Sequence, residues 1–214
     1  MNREEKQVSY KITNTYSTLN EYTSKTKNVW LVFHGIGYLS RYFLKYFKDL
    51  NPEENYIIAP QAQSKYYLNN KYTHVGASWL TKENTEEEFE NVLNYLKEVF
   101  KAEGLDKVEN LNVLGYSQGV SIATRFVARE KIQCKNLILL SGKVPQELAT
   151  KDFEFLTDTK FSFIYGTQDE YLKAGVVKVE HERLKELFPK NLNVITFDGG
   201  HEVRPEILSN IGES

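Results

Sequence analysis

The 214-residue chain holds a single cysteine, Cys134, so no internal disulfide can form and the fold does not depend on an oxidising compartment. It has no long apolar run. Nothing approaches the length that spans a bilayer, so no integral membrane segment is expected. The opening residues Met1 to Gln7 are polar and charged with no apolar stretch behind them, which gives no sign of a signal peptide. The expectation is a cytoplasmic protein. Charge of one sign is also missing: 27 basic and 29 acidic residues are interspersed, for a net charge of −2. With no basic stretch, nucleic acid is not an expected partner. Acidic runs such as Glu86-Glu87-Glu88 read as solvated surface and not as a metal site. Repeats, low-complexity tracts and linkers are absent as well.

What is present is a 41% hydrophobic composition, enough for one substantial core, so residues 1–214 are expected to form a single domain. Short apolar runs recur: Val29–Phe33, Tyr56–Ala59, Leu111–Leu114, Leu137–Leu140, Phe161–Tyr165 and Leu192–Phe197. Runs without polar alternation suit strands covered on both faces, as in a parallel sheet. Between most of them lie segments of helical period. Leu39 to Leu50, Phe89 to Phe100 (ended by Gly104), Val120 to Val127, and Val177 to Phe188 (closed by Pro189) all follow it. Pro205 fits the first turn of a last short helix through Ile211. Alternation over Val8–Thr18 predicts an antiparallel edge strand or hairpin within residues 1–27. Together these predict an α/β three-layer sandwich with a mostly parallel central sheet and helices on both faces. Residues 61–83 have no clear pattern and are rich in aromatics. They read as an irregular loop near a functional site.

The central motif is Gly115-Tyr116-Ser117-Gln118-Gly119, a G-x-S-x-G directly after an apolar run and directly before a helical segment. In a strand–turn–helix setting the tight turn projects the serine hydroxyl above the sheet, and glycines two residues to either side relieve the collisions. The plain alternative is an ordinary glycine-containing turn. Serine needs a base at neutral pH. Of four histidines, His201 follows the last apolar run in Gly199-Gly200-His201. His181 lies among charged helix residues, His74 lies in the 61–83 segment, and His34 reads as a structural residue bonding its own loop. The base needs an acid, and Asp169 lies after Phe161–Tyr165, in the chain order Ser, Asp, His. Glu170 and Asp198 are its competitors. A developing oxyanion needs donors. The backbone N–H of Gln118 is one, and the loop His34-Gly35-Ile36-Gly37 offers the other, at Ile36 or alternatively at Gly37. Tyr38, Tyr67, His74 and Trp79, with Gly37, are the candidates for lining a substrate pocket. A base that must be unprotonated implies activity that falls in acid.

These motifs, with Gly166-Thr167-Gln168-Asp169 and Gly200-His201, resemble the small phospholipase/carboxylesterase group of α/β-hydrolases, which includes acyl-protein thioesterases. The resemblance runs over about residues 28–211. The glutamine after the serine, Ala59-Pro60 and Ser78-Trp79 add to it. It implies the α/β-hydrolase fold, a triad of Ser117, Asp169 and His201, and oxyanion donors at Ile36 and Gln118. It also implies a small-molecule ester, thioester or lysophospholipid as substrate. The chain departs from the group at Tyr38 after the H-G-x-G stretch and at Val120 after the second elbow glycine. It departs again at Glu170-Tyr171-Leu172, where Pro-Val-Val often follows the acid. Only residues 143–160 separate Gly142 from Phe161, too few for a large cap domain. No metal or cofactor is called for. A homodimer is left open by the sequence. An acyltransferase on the same triad and a non-catalytic binding protein that kept the pocket are the rival readings.

Overall fold

A computed structural model describes residues 3–212. Among these residues nine strands and five α-helices follow in the order β1 (Tyr16–Leu19), β2 (Asn28–Phe33), α1 (Ser40–Phe43), β3 (Asn55–Pro60), β4 (Ser64–Tyr67), β5 (Val75–Ser78), α2 (Thr85–Ala102), β6 (Leu111–Tyr116), α3 (Gln118–Glu130), β7 (Asn136–Leu140), β8 (Lys160–Gly166), α4 (Ala174–Leu187), β9 (Leu192–Phe197) and α5 (Pro205–Gly212). Seven strands form one sheet in the order β1-β3-β2-β6-β7-β8-β9. Only β1 runs antiparallel; every other neighbouring pair is parallel.

The apolar runs are explained by burial on both faces. Val29, Leu31 and Phe33 of β2 point into one core with α2, α3 and α4. Trp30 and Val32, the residues between them, point into a second core with α1 and α5. The same alternation divides Leu137 and Leu139 from Ile138 and Leu140 on β7. Each fully buried aliphatic side chain contributes roughly 1.5–3 kcal/mol relative to exposure. The last run, β9, is different. It is a sheet edge, and Asn193 and Thr196 are exposed.

Three expectations need correction. The Leu39–Leu50 segment is a one-turn α1 followed by a 3₁₀ turn, Leu44–Phe47. Its apolar side chains Phe43, Leu44 and Phe47 are buried, but Tyr42 is exposed. The edge strand near the N-terminus begins only at Tyr16, and Val8, Tyr10 and Ile12 are exposed and unpaired with the sheet. Residues 61–83 are not irregular. They contain a second, two-stranded antiparallel sheet, β4–β5, in which Tyr66 faces Gly76 and Tyr67 faces Val75. Between β7 and β8 the chain makes only a short 3₁₀ turn, Thr150–Asp152, and no cap is built there.

Strand order decides where a ligand can sit. From β2 the chain turns outward to β3; from β6 it turns the other way, to β7. The chain therefore leaves the carboxyl ends of β2 and β6 in opposite directions, and such a switch point is the usual place for a ligand on an open parallel sheet.

Candidate active site

Ser117 stands between β6 and α3 with φ +55° and ψ −117°, a conformation that side-chain-bearing residues rarely adopt. The turn is held by the Ser117 N–H donating to Leu140 O at 2.8 Å. Its tightness is set by its neighbours. A Cβ on Gly115 would lie 2.5 Å from Gly119 O and from the Val120 backbone, and one on Gly119 would lie 2.1 Å from Phe33 O. The two motif glycines let the strand, the turn and the first turn of α3 nest against β2.

His201 arrives from the loop after β9. Its Nε2 is 2.9 Å from Ser117 Oγ and its Nδ1 is 2.8 Å from Asp169 Oδ2. A carboxylate can only accept, so Nδ1 carries the proton and Nε2 is the acceptor for the serine hydroxyl. Asp169 is buried, and its other oxygen accepts the backbone N–H groups of Tyr171 and Leu172 at 2.8 and 3.1 Å. The loops bearing acid and base are joined: Thr167 N–H donates to Phe197 O, and Gln168 N–H to Gly199 O. A Cβ on Gly166 would lie 2.3 Å from both Gly199 O and Gly200 O, so only glycine allows this approach. Tyr116 OH donates to His201 O at 2.9 Å, and the Tyr171 ring meets the imidazole edge-on at 4.8 Å. Of the competing carboxylates, Asp198 accepts from Gln168 Nε2. No contact joins Glu170 to the imidazole among the described residues.

Gly35 packs against the serine: a Cβ there would lie 3.2 Å from Ser117 Cβ. The Gly37 N–H donates to Ala77 O at 2.8 Å, which removes Gly37 as an anion donor. The N–H groups of Ile36 and Gln118 make no hydrogen bond among the described residues, the latter because it opens α3.

The family model for phospholipase/carboxylesterase proteins matches residues 14–214. The chain belongs to this family. Among solved structures, acyl-protein thioesterase 2 of Zea mays superposes with a TM-score of 0.71 at 15% identity, covering 94% of this chain and 97% of that one. A phospholipase/carboxylesterase from Dyadobacter fermentans gives 0.69 at 18% identity, covering 96% and 99%. Esterase PE8 gives 0.69 at 19%, covering 94% and 97%. These likenesses establish the α/β-hydrolase fold. No curated protein sequence matches the chain.

Within this phospholipase/carboxylesterase chain the remaining site candidates separate. His34 is the structural residue expected of it. Its Nδ1 bonds Gly35 O at 2.8 Å, and its Nε2 accepts the Ala62 N–H at 3.2 Å. Burial pulls its pKa down to about 4, partly opposed by the Gly35 hydrogen bond. Trp79 is a correction. It is fully buried, edge-on to Phe33, with its indole N–H on His34 O, and no face of it is left for substrate. Tyr38 is half-buried, its hydroxyl 3.1 Å from that of Tyr46 and its ring edge-on to Tyr116. Tyr67 is exposed on the hairpin against Tyr72, and His74 is exposed near the hairpin turn. Among the described residues no contact brings either to the Ser117–His201 pair. The sequence pointed to Ile36 for its backbone N–H alone and did not point to Tyr171; both carry exposed apolar side chains beside the site. Sequence reasoning also missed the side chain of Gln118, which bonds Trp79, Leu80 and Ser78. Among the described residues no group of three His, Cys, Asp or Glu side chains could hold a metal, and no helix is long and apolar enough to cross a membrane.

Proposed function

We propose that the protein is a serine hydrolase of carboxylic esters, with Ser117 as nucleophile, His201 as general base and Asp169 as the acid that orients it. The observation that carries this reading is the unbroken hydrogen-bonded line from Ser117 Oγ through His201 to Asp169, beside two unengaged backbone N–H groups. His201 Nε2 takes the Ser117 proton as Oγ attacks the carbonyl carbon. The carbonyl oxygen becomes an oxyanion received by the N–H groups of Ile36 and Gln118. The tetrahedral intermediate collapses, and the imidazolium gives its proton to the departing alcohol or thiol. Water then attacks the acyl-enzyme by the same route in reverse, releasing acid and free serine. No metal or cofactor takes part. Each oxyanion donor supplies roughly 3–4 kcal/mol of transition-state stabilisation.

A short connection between β7 and β8 supports an open site, with the exposed Ile36 and Tyr171 available to an acyl or leaving group. The two cores flanking one sheet support a single domain. The test is a panel of p-nitrophenyl esters of increasing chain length, run beside an acyl-thioester and a lysophospholipid, with fluorophosphonate labelling as an independent readout. Labelling that is lost in Ser117→Ala and ester turnover that exceeds turnover of the thioester are expected. A protein that labels but transfers acyl groups to added alcohol in preference to water is an acyltransferase. One that neither labels nor turns over is a binding protein.

A further inference from the structure

The two N–H groups assigned to the oxyanion belong to different loops, one after β2 and one after β6, yet both loops are tied to the same five residues, 76–80. On the first side, the Gly37 N–H donates to Ala77 O at 2.8 Å. There the backbones touch. A Cβ on Gly76 would lie 2.5 Å from Gly37 O and 2.7 Å from Gly37 Cα. Gly37 itself has φ +83°, so the loop turns at the point where β5 grips it, one residue beyond Ile36. Trp79 adds a tie one turn earlier, its indole donating to His34 O at 2.8 Å.

On the second side, the Gln118 side chain reaches the same strand end. Its Oε1 accepts the Trp79 N–H at 2.9 Å, and its Nε2 donates to Leu80 O at 2.7 Å and to Ser78 Oγ at 3.1 Å. Gln118 therefore carries an oxyanion N–H on its backbone while its amide clasps the strand that holds the other donor's loop. Only an amide accepts and donates at this reach. Glutamate could accept from Trp79 but would set a second acceptor against Leu80 O, and methionine would do neither.

We infer that residues 76–80 fix the separation of the two oxyanion donors, with the Gln118 amide as a positioning residue and Gly76 as the close-approach point that lets β5 reach the loop. This rests on the serine-hydrolase reading and explains a feature that reading leaves open, the glutamine that follows the nucleophile. The hairpin is then a brace for the site. Misplacing one donor leaves substrate binding alone but weakens stabilisation of the charge that develops only on the way to the intermediate.

The test compares the full-length wild type with Gln118→Glu, Gln118→Met and Gly76→Ala. The readouts are kcat and KM on a short-chain p-nitrophenyl ester, the pH profile, inhibition by a trifluoromethyl ketone of the same acyl chain, and the melting temperature. The ketone binds as a serine-bound alkoxide, so its affinity reports the oxyanion site directly. The expected result is a roughly 10- to 100-fold fall in kcat, KM within about threefold, and a parallel loss of ketone affinity. In Gln118→Met and Gly76→Ala the acid limb of the pH profile stays where it was, because His201 is untouched and no charge is added beside it. Gly76→Ala acts through the Ile36 side and gives the same split, so the inference does not hang on one variant folding well. Unchanged kcat in folded variants overturns it. So does a loss confined to KM, or a fall in kcat without the ketone effect. If the wild type labels with fluorophosphonate and these variants are unaffected, the brace is wrong and the hydrolase reading stands. If the wild type neither labels nor turns over, both fall.

Discussion

Asp169 Oδ2 lies 2.8 Å from Nδ1 of His201, while its Oδ1 holds two backbone N–H groups. The two oxygens have separate work, and Asp169→Asn separates them. Asparagine keeps an oxygen for Tyr171 and Leu172 and turns its NH₂ toward the imidazole. Nδ1 must then accept, the proton moves to Nε2, and the ring faces Ser117 as a donor that cannot take its proton. The expected outcome is a folded protein whose kcat on p-nitrophenyl ester falls roughly 10³- to 10⁴-fold, with KM little changed. Glu170→Gln and Asp198→Asn should stay close to wild type. Activity within tenfold of wild type in Asp169→Asn would remove this carboxylate from the mechanism.

Gly119 faces a steric demand that no side chain can meet. A Cβ would be driven to 2.1 Å from Phe33 O and 2.8 Å from His34 O, both of them backbone atoms that cannot swing aside. Gly119→Ala must push α3 off β2 or reshape the turn at Ser117. A loss of about 2 kcal/mol or more is expected from urea unfolding. Gly175 has open space around its Cα, so Gly175→Ala in the first turn of α4 should be neutral or slightly stabilising. Equal midpoints for the two variants would contradict the packing argument.

The sheet was readable because burial on both faces writes uninterrupted apolar runs, and the site was readable because the serine turn demands glycine at two fixed positions. The hairpin was not readable. Ser64–Tyr67 is exposed at every residue, so its sequence carries no apolar alternation, and seven residues separate it from β5. Its signal is the β-propensity of Tyr66 and Tyr67 alone. Val8, Tyr10 and Ile12 misled in the opposite way. They alternate as a half-buried strand would, yet they are exposed, because alternation states which side chains share a face and not whether anything covers it. Trp79 shows a third limit. An aromatic in a segment near the site reads equally well as pocket wall or as core.

Trp79 tests that distinction directly. Its ring is buried and its indole N–H donates to the carbonyl of His34. Trp79→Phe keeps the aromatic packing and leaves that buried carbonyl without this donor, at a cost of about 1–3 kcal/mol. Stability should fall by that amount in denaturant titration, while the relative rates across an acyl chain-length series stay as in wild type. A shifted chain-length optimum would return Trp79 to the pocket wall. Ile36→Ala and Tyr171→Ala, on exposed neighbours of the site, are expected to change the chain-length profile and leave stability within about 0.5 kcal/mol.

His34 gives the fold an acid sensitivity of its own. Burial is the main cause that pulls its pKa from the ordinary 6.5 to about 4, and the hydrogen bond with Gly35 opposes it. Geometry agrees, since protonation would turn Nε2 from an acceptor into a donor facing the Ala62 N–H. The unfolded chain binds a proton at this histidine as pH drops below about 6.5, while the folded chain does not until about 4. Between those values the unfolded state holds more protons. Stability from this group is therefore complete above pH 6.5, declines as pH falls to about 4, and is level below; the full span is about 3 kcal/mol. Buried Glu180, whose pKa burial raises, works with the opposite sign, its share of stability being lost as pH rises through its folded value. It is present in both proteins when wild type is compared with His34→Asn, so it cancels. The wild type should be the more stable at pH 7.5, and its advantage should shrink steadily toward pH 4.5 in urea titrations. Parallel stability profiles for the two proteins would mean that the folded state takes up the His34 proton as easily as the unfolded chain does.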